Sequence, residues 1–566
     1  MSSRMADTLV DKNERAIINE EPWKSRRCRE CGKEQRRRKR VARSTLHDDG
    51  CNRSDCHECH NCEYYSNQRT LGSSTPDKGA QVSASDVSAD QEIAISDGKI
   101  ALLGQNLSPL FPNAQTLDAQ GAFVMPGGVD SHVHLAQGNN PTGDDWESGT
   151  RSAIAGGTTT VLAFASQSRK DESLIPVVEE YHRRAAVGTY CDYGFHLILT
   201  NPTTKILNEE LPVLVREGGL SSIKLYMTYQ PMKLGDREIL EVMESTRRLG
   251  MTTMVHAENS EMIEWITDKL EAKRRVEPYG HALSRPNIAE DEATYRVICL
   301  SQVADVPVLI VHMSSKLAVK HVRKAQTRLL PIHAETCPHY LLLTSERLKS
   351  HDFEGAKYVC SPALREDPMD LQAMWDGLVN GTFTTISSDH APSKYDHHLG
   401  KKQGLLYSFK QIPNGLPGLE TRMPTVFCEG VMKGRLTPQK YVELTCSNPA
   451  KLYGLGDRKG AILPGYDADL VIWYPTQEQQ ASNVMKPFQL RNSMLHHDVD
   501  YTPFEGIEYT NWPRYTIVRG QVVYSRDQGG VVGSKHSGRF LKRGVSTLSK
   551  PREVFVNEFH PYDASY

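Results

Sequence analysis

The chain has 566 residues and 12 cysteines, a formal net charge of -2 at pH 7, 39% hydrophobic residues and 24% charged residues. This length suits a large barrel with a second domain beside it. The near-neutral charge excludes no enzyme class but gives no reason to expect a nucleic-acid or membrane partner. No run of about eighteen apolar residues predicts a transmembrane helix. Because the N-terminus also lacks the apolar stretch of a signal peptide, we predict a cytoplasmic protein.

Residues 1–80 differ in character from the rest and are predicted to be a disordered N-terminal extension, because few apolar residues are available to form a core. Half of the cysteines lie here, and spacings such as Cys28-x-x-Cys31 also suit a zinc-binding module. The basic run at 36–40 is typical of a nuclear-localisation or nucleic-acid patch, although the composition favours a solvated arm. Residues 66–79 have the Gly, Ser and Pro content of a linker. The cysteines beyond this segment are scattered, and we expect free thiols there.

The body is predicted to contain a barrel flanked by a small β domain. Residues 81–124 and 456–530 carry short alternating segments and turn signals, and we expect them to pair into one small β-sandwich. Residues 125–455 form the predicted catalytic barrel. Residues 531–566 are a C-terminal tail without clear periodicity.

Eight strand-like segments alternate with stretches of helical period, which is typical of the α/β fold called a (β/α)₈ or TIM barrel. One such helix carries an apolar stripe over 239–249 and ends at Gly250. Another begins at Thr437, with a proline in its first turn, and runs to Cys446. The predicted strands are 123–133, 159–164, 193–199, 222–226, 252–256, 307–312, 330–335 and 384–388.

Two histidines one residue apart, His132 and His134, end the first predicted strand. Residues i and i+2 of a strand point to the same side, so both imidazoles can ligate one metal ion. A barrel keeps its chemistry at the carboxyl ends of its strands. Four more side chains that suit a divalent ion such as zinc fall at the ends of other predicted strands. They are Lys224, His256, His312 and Asp389.

Ten short motifs occur in order along the body. They are the runs at 126–134, 155–159, 224–229, 255–259, 284–286, 361–365, 388–392, 412–415, 459–460 and 467–470. In these motifs the chain resembles the cyclic amidohydrolases and, within them, the dihydropyrimidinase and hydantoinase group, and the resemblance runs from about residue 83 to about residue 543. The resemblance implies a hydrolase that opens the ring of 5,6-dihydrouracil, dihydrothymine or hydantoins and gives N-carbamoyl amino acids. It also implies a small cyclic ureide as the substrate and a homotetramer as the assembly.

The resemblance further implies a centre of two zinc ions, or other divalent ions, bridged by Lys224 as N6-carboxylysine. An ammonium cannot ligate a cation, whereas a lysine carbamylated by carbon dioxide is an anion with two oxygens. The ligands implied for the first ion are His132, His134 and Asp389, and those for the second are His256 and His312.

The same resemblance assigns the chemistry. A hydroxide between the ions, with its pKa lowered by both charges, would attack the carbonyl carbon of the cyclic amide. Asp389 would take the hydroxide's proton and pass it to the leaving nitrogen. Tyr229 would stabilise the oxyanion with its hydroxyl group. The backbone of Ser361 and Asn414 would bind the imide edge of the flat ring.

Two kinds of relative are alternatives. Dihydroorotase-like sequences follow the two histidines with an arginine that holds the substrate carboxylate, whereas this chain has Leu135, Ala136 and Gln137 there. An allantoinase-like activity stays open. Collapsin-response-mediator-like proteins share the fold, have lost metal ligands and act as scaffolds, but all six ligand positions are filled here.

The chain departs from the family's pattern near its start. Similar proteins begin with an apolar strand ahead of the region that corresponds to 82–86, and this chain has the linker and the Cys-rich extension there. Either the extension supplies a substitute strand, or the small β domain lacks one, or the gene start is wrongly assigned.

Overall fold

The computed structural model describes residues 69–73, 81–82, 92–138, 140–476 and 484–552. Residues 1–68 and 74–80 of the predicted N-terminal extension, with all six of its cysteines, lie outside these residues, and so does the end of the predicted tail. Within the described ranges, no helix combines the length and the apolar character needed to cross a membrane.

Among the described residues, six strands precede the barrel. They are β1 (Arg69–Ser73), β2 (Gln81–Val82), β3 (Glu92–Ser96), β4 (Lys99–Gly104), β5 (Gln115–Leu117) and β6 (Phe123–Pro126). Four of them form a sheet in the order β4-β3-β1-β5. The assignment of 66–79 to a linker is therefore wrong over β1, which pairs with β3 on one side and β5 on the other. Backbone hydrogen bonds to strands on both sides can hold even a segment of low β propensity in a sheet. The composition of residues 69–73 therefore did not predict this strand.

Eight parallel strands form a second sheet, whose order follows the sequence. They are β7 (Gly128–Val133), β8 (Thr158–Ser166), β9 (Asp192–Ile198), β10 (Ser222–Tyr226), β11 (Thr252–His256), β12 (Val308–Ile310), β13 (Ile332–Thr336) and β14 (Thr385–Ile386). This arrangement confirms the predicted (β/α)₈ barrel. The strands are buried along nearly their whole length, as expected of a parallel sheet covered by helices.

The predicted strand 123–133 is in fact two strands in different sheets. β6 belongs to the small β domain and β7 to the barrel, with Gly127 between them. A Cβ atom at Gly127 would lie 2.1 Å from Oγ1 of Thr159, so this close approach to β8 requires glycine. The apolar pattern runs through both strands because both are buried, and it therefore hides the break.

Helices fill most of the connections between barrel strands. The α-helices are α1 (Trp146–Ala155), α2 (Ile175–Ala185), α3 (Leu211–Arg216), α4 (Asp236–Leu249), α5 (Ser260–Ala272), α6 (Tyr279–Ser284), α7 (Asn287–Ala304), α8 (Lys316–Thr327), α9 (Pro338–Leu342), α10 (Pro368–Val379), α11 (Arg422–Val426), α12 (Pro438–Val442) and α13 (Asn448–Leu452). The predicted helix before Gly250 is α4, and Gly250 ends it in the left-handed conformation at φ 66°. The helix predicted from Thr437 starts as expected, but α12 ends at Val442 and passes through a π-helix, Glu443–Ser447, into α13.

Four strands after the barrel complete the small β domain, and they are β15 (Leu470–Trp473), β18 (Pro513–Val518), β19 (Gln521–Ser525) and β20 (Gly530–Val531). Two further strands, β16 (Phe488–Gln489) and β17 (Glu508–Tyr509), form a separate two-stranded sheet. A six-stranded sheet has the order β2-β6-β15-β18-β19-β20 and so joins both ends of the body. Ile93, Val124, Leu470 and Ile517 lie in one apolar core between this sheet and the four-stranded sheet. The predicted β-sandwich is thus confirmed, while the domain boundaries drawn from the sequence stay predictions.

The barrel closes where β7 meets β14. Val133 forms a parallel bridge with His390, which lies four residues beyond the end of β14 at Ile386. The backbone N–H of His134 donates a hydrogen bond of 2.8 Å to the carbonyl oxygen of His390. These contacts place the end of the first barrel strand beside the segment that carries Asp389.

A buried arginine reinforces this closure. Arg422 is fully buried and donates to the carbonyl oxygens of Val129 on β7, at 3.3 Å, and Ile386 on β14, at 3.1 Å. Its Nε lies 3.2 Å from a carboxylate oxygen of Asp130. The other oxygen of Asp130 accepts a hydrogen bond from the backbone N–H of Ser388, at 3.2 Å. One ion pair therefore ties both edge strands together.

We expect Arg422→Met to lower the free energy of unfolding by about 3–5 kcal/mol, because it leaves the Asp130 carboxylate and two carbonyl groups unpaired in the interior. Urea unfolding followed by circular dichroism measures this change. The control is Arg296→Met, since Arg296 is partly exposed and pairs with Asp236 and Glu292. Its cost is expected to stay below about 1 kcal/mol. Equal losses in the two variants would contradict the role given to Arg422.

Candidate metal centre and substrate cavity

The structure brings the six predicted ligand residues to the carboxyl end of the barrel. His132 lies in β7, Lys224 in β10, and His256 is the last residue of β11. The remaining three lie within three residues of the ends of their strands, and they are His134, His312 and Asp389. Strand ends therefore position this cluster, in the place where barrels carry their chemistry.

Three of these side chains form a compact group that suits one metal ion. Nε2 of His132 lies 3.1 Å from Oδ1 of Asp389, and Nε2 of His134 lies 3.6 Å from the same oxygen. One ligand atom from each residue lies within 4.8 Å of the others. Nζ of Lys224 is 3.2 Å from Nε2 of His132, so the lysine adjoins the group.

The other two histidines lie next to this group. The ring centroids of His256 and His312 are 4.4 Å apart, and those of His312 and His132 are 5.3 Å apart. Nδ1 of His312 is buried and has no hydrogen-bond partner among the described residues. Buried polar atoms normally have a partner, so this imidazole fits a site that a cation completes. The donor set of imidazoles, carboxylate and amine therefore suits a metal centre.

Carboxylates behind two of the histidines fix their orientation, and neither carboxylate was predicted from the sequence to have a role. Oε1 of Glu335 lies 2.7 Å from Nδ1 of His132, and Oε2 of Glu258 lies 2.8 Å from Nε2 of His256. Each carboxylate leaves the other ring nitrogen free for a metal. Arg285 donates to Glu258 at 2.7 Å. The His256-x-Glu258 spacing was a usable signal, whereas the pairing of Glu335 with His132 is visible only in three dimensions.

Burial sets the protonation states of this cluster. It lowers the pKa of Lys224 to about 8 and that of His134 to about 4, and it moves the pKa of His312 well below its ordinary value. Burial alone would raise the pKa of Asp389, but the neighbouring His132, His134 and His312 together hold it well below its ordinary value. Neutral imidazoles and an ionised carboxylate are the forms in which these groups ligate metals. The lowered pKa of Lys224 makes its neutral amine accessible.

Three residues of the cluster and its surroundings have unusual backbone conformations. Tyr229, His312 and Asp389 have φ angles of 67°, 38° and 46°, in the left-handed region that residues other than glycine rarely adopt. Such conformations are held in place by the surrounding structure and concentrate at functional sites. Here they direct three side chains toward one point.

A cavity of about 490 Å³ opens over the cluster. Its described lining includes every predicted site residue except Lys224, which is fully buried beneath it. The predicted residues in the lining are His132, His134, Tyr229, His256, His312, Ser361, Asp389 and Asn414. A larger cavity of about 850 Å³ lies beside it and shares Pro231 and Met232, but none of the six ligand residues lines that second space. The chemistry therefore belongs to the smaller cavity.

The three residues predicted to contact substrate lie together on one wall. Nδ2 of Asn414 donates a hydrogen bond of 3.0 Å to the hydroxyl oxygen of Tyr229, which also bonds to the side chain of Ser361. The guanidinium of Arg285 lies over the Tyr229 ring, 5.3 Å from its centroid. Burial raises the pKa of Tyr229, so the hydroxyl keeps its proton and stays a donor at neutral pH.

Comparison with known proteins shows which family has this architecture. Residues 123–523 match the amidohydrolase family. The D-hydantoinase of Geobacillus stearothermophilus is 39% identical over 469 residues, which cover 82% of this chain and 95% of that protein. The D-hydantoinase of Ralstonia pickettii is 36% identical, over 82% of this chain and 98% of that protein.

Solved structures agree with the sequence comparison. The dihydropyrimidinase from Brevibacillus agri NCHU1002 is 33% identical and has a TM-score of 0.78, with 85% of this chain and 99% of that chain covered. The chain therefore belongs to the amidohydrolase family, in its group of D-hydantoinases and dihydropyrimidinases, which are enzymes that hydrolyse cyclic amides.

Proposed function

We propose that this enzyme opens the rings of 5,6-dihydropyrimidines and hydantoins at a cyclic amide bond and releases N-carbamoyl amino acids. The observation that carries this proposal is the set of six ligand-type side chains beneath a cavity that also contains Tyr229 and Asn414. Among the described residues that line the cavity, none is arginine or lysine. A lining without an arginine or lysine side chain favours an uncharged ring over the carboxylate of dihydroorotate.

We further propose that two zinc ions, or other divalent ions, occupy the centre and that carboxylated Lys224 bridges them. The family is metal-dependent, and the buried donors of this chain fit such a centre. Burial lowers the pKa of Lys224 to about 8, which makes the neutral amine accessible. That amine adds to carbon dioxide, an N–C bond forms and one proton leaves, so that an anionic carbamate remains.

The residues of the cavity have distinct roles in the proposed reaction. When bound, the two ions supply positive charge that lowers the pKa of a water molecule and polarises the scissile carbonyl group. Asp389 accepts a proton from the attacking water and returns it to the ring nitrogen as the C–N bond breaks. Tyr229 donates a hydrogen bond to the carbonyl oxygen as that oxygen gains charge. The backbone of Ser361 and Asn414 holds the imide edge of the ring.

Assembly and location are proposed on separate grounds. The family resemblance supports a homotetramer that acts on a small cyclic ureide. The described cysteines carry free thiols, and all but Cys299 are buried, which suits a reducing compartment such as the cytoplasm.

A substrate panel tests the proposed activity. The purified metal-loaded enzyme is expected to open dihydrouracil and hydantoin with higher kcat/KM than allantoin and dihydroorotate, measured by loss of ring absorbance. A preference for allantoin or dihydroorotate would instead support the sister activities. A protein that retains no metal and opens none of the four rings would contradict the proposal and favour a scaffold.

Lys224→Ala is expected to remove bound metal and ring-opening activity together, because it deletes the proposed bridge between the ions. Metal content by mass spectrometry and initial rates on dihydrouracil measure both effects. Lys205→Ala is the control, since this lysine is exposed and pairs with Glu210. Full activity in Lys224→Ala would show that the bridging role is wrong.

Tyr229→Phe is expected to keep both ions and to lower kcat by about 100-fold to 1,000-fold, the usual cost of one oxyanion donor. Steady-state kinetics and metal analysis separate these effects. Tyr226→Phe is a matched control, because Tyr226 also lines the cavity and stacks on His256 with centroids 5.4 Å apart. Equal slowing in both variants would point to general disturbance of the cavity rather than to loss of a donor.

A further inference from the structure

A buried lysine outside the proposed metal centre lies behind the cavity wall formed by Tyr229, Ser361 and Asn414, which we call the substrate wall. Lys401 begins a short 3₁₀ helix, Lys401–Leu405, in the connection that follows β14, and it is fully buried. Its ammonium group donates to three backbone carbonyl oxygens. They are those of Val359 at 2.9 Å, Pro413 at 2.6 Å and Gly415 at 2.7 Å. An ammonium has three N–H donors, so this arrangement uses its full capacity.

These acceptors belong to the two segments that carry the proposed ring-binding backbone. Val359 precedes Ser361 by two residues, while Pro413 and Gly415 flank Asn414. The N–H of Gly415 also donates a hydrogen bond of 3.0 Å to the carbonyl oxygen of Val359. Lys401 therefore joins segments that are distant in sequence at the point where both face the cavity.

The charge of Lys401 has no obvious structural reason. Among the described residues, no carboxylate forms an ion pair with it, and burial lowers its pKa to about 7. The buried Lys459 differs, because it pairs with Asp192, Asp467 and Asp469 at 2.6 to 3.0 Å. A buried cation without a counter-charge is unfavourable, and a fold alone is served as well by apolar packing. Its contacts fit a task at the adjacent wall.

We propose that Lys401 is a positioning residue for substrate binding, whose ammonium group sets the spacing between the backbone of Ser361 and that of Asn414. This inference rests on the proposed function, in which these two backbones hold the imide edge of the ring. A rigid planar edge needs its hydrogen-bond partners at a fixed separation, because hydrogen bonds weaken steeply away from their preferred distance and angle.

The metal centre and Tyr229 have supports of their own. The N–H groups of Met232 and Lys233 donate to the carbonyl oxygen of Tyr229 at 2.7 and 2.8 Å, which fixes its turn without Lys401. The six ligand residues lie on barrel strands or within three residues of their ends. Loss of the Lys401 ammonium should therefore affect binding of the ring in ground state and transition state alike, and so raise KM more than it lowers kcat.

The test compares Lys401→Met with the wild-type holoenzyme on dihydrouracil and hydantoin. KM is expected to rise about tenfold, which corresponds to the loss of about one hydrogen bond between the ring and a misplaced backbone group. We expect kcat to stay within about threefold and the metal content to be unchanged. Lys459→Met is the matched control, since it also removes a buried lysine and destabilises the fold but is expected to leave KM unchanged.

Lys401→Gln is the second variant, because its amide keeps two N–H donors without the charge, and its KM is expected to lie between those of the wild type and Lys401→Met. An unchanged KM in either folded variant would overturn the assignment. Failure of both variants to fold would overturn it too, since the ammonium would then be a requirement of the fold. If the wild-type enzyme opens none of the rings, the proposed function fails, and that result is distinct from unchanged kinetics in the variants.

Discussion

The distances in the candidate metal centre follow from closure of the barrel between β14 and β7. His132 and His134 come from the first strand, and Asp389 follows the last. Their donor atoms meet because the bridge at His390 and the ion pair of Arg422 hold these two edges together. A packed interior resists small displacements, so this seam fixes the separation of groups that no shared element connects.

Electrostatics gives the closed barrel its chemical character. The interior contains an amine and several imidazoles in a space that desolvates them, and burial shifts their pKa values toward the neutral forms. Glu335 and Glu258 sit behind His132 and His256 rather than among the donor atoms, so they orient the rings without neutralising the centre. Such a set of neutral nitrogens and one free carboxylate suits a divalent cation.

The substrate wall is built differently from the metal centre. Its residues, Tyr229, Ser361 and Asn414, lie in connections beyond the strands, where no sheet fixes the backbone. Hydrogen bonds inside the protein take the place of a sheet, from Asn414 to the Tyr229 hydroxyl and from Lys401 to three carbonyl oxygens. The proposed site thus combines a candidate metal centre held by the barrel with a cavity wall held by its loops.

The sequence by itself determined the barrel, the small β domain and the six ligand-type residues, because strand periodicity and the residue types at strand ends are local properties. It did not separate β6 from β7, since burial makes both strands apolar, and it missed β1, whose pairing partners lie further along the chain. Only the tertiary structure decided which groups stand behind the site. Glu335 and Lys401 act on residues remote in sequence, and such contacts leave no periodic or spacing signal, because they exist only once the chain has closed on itself.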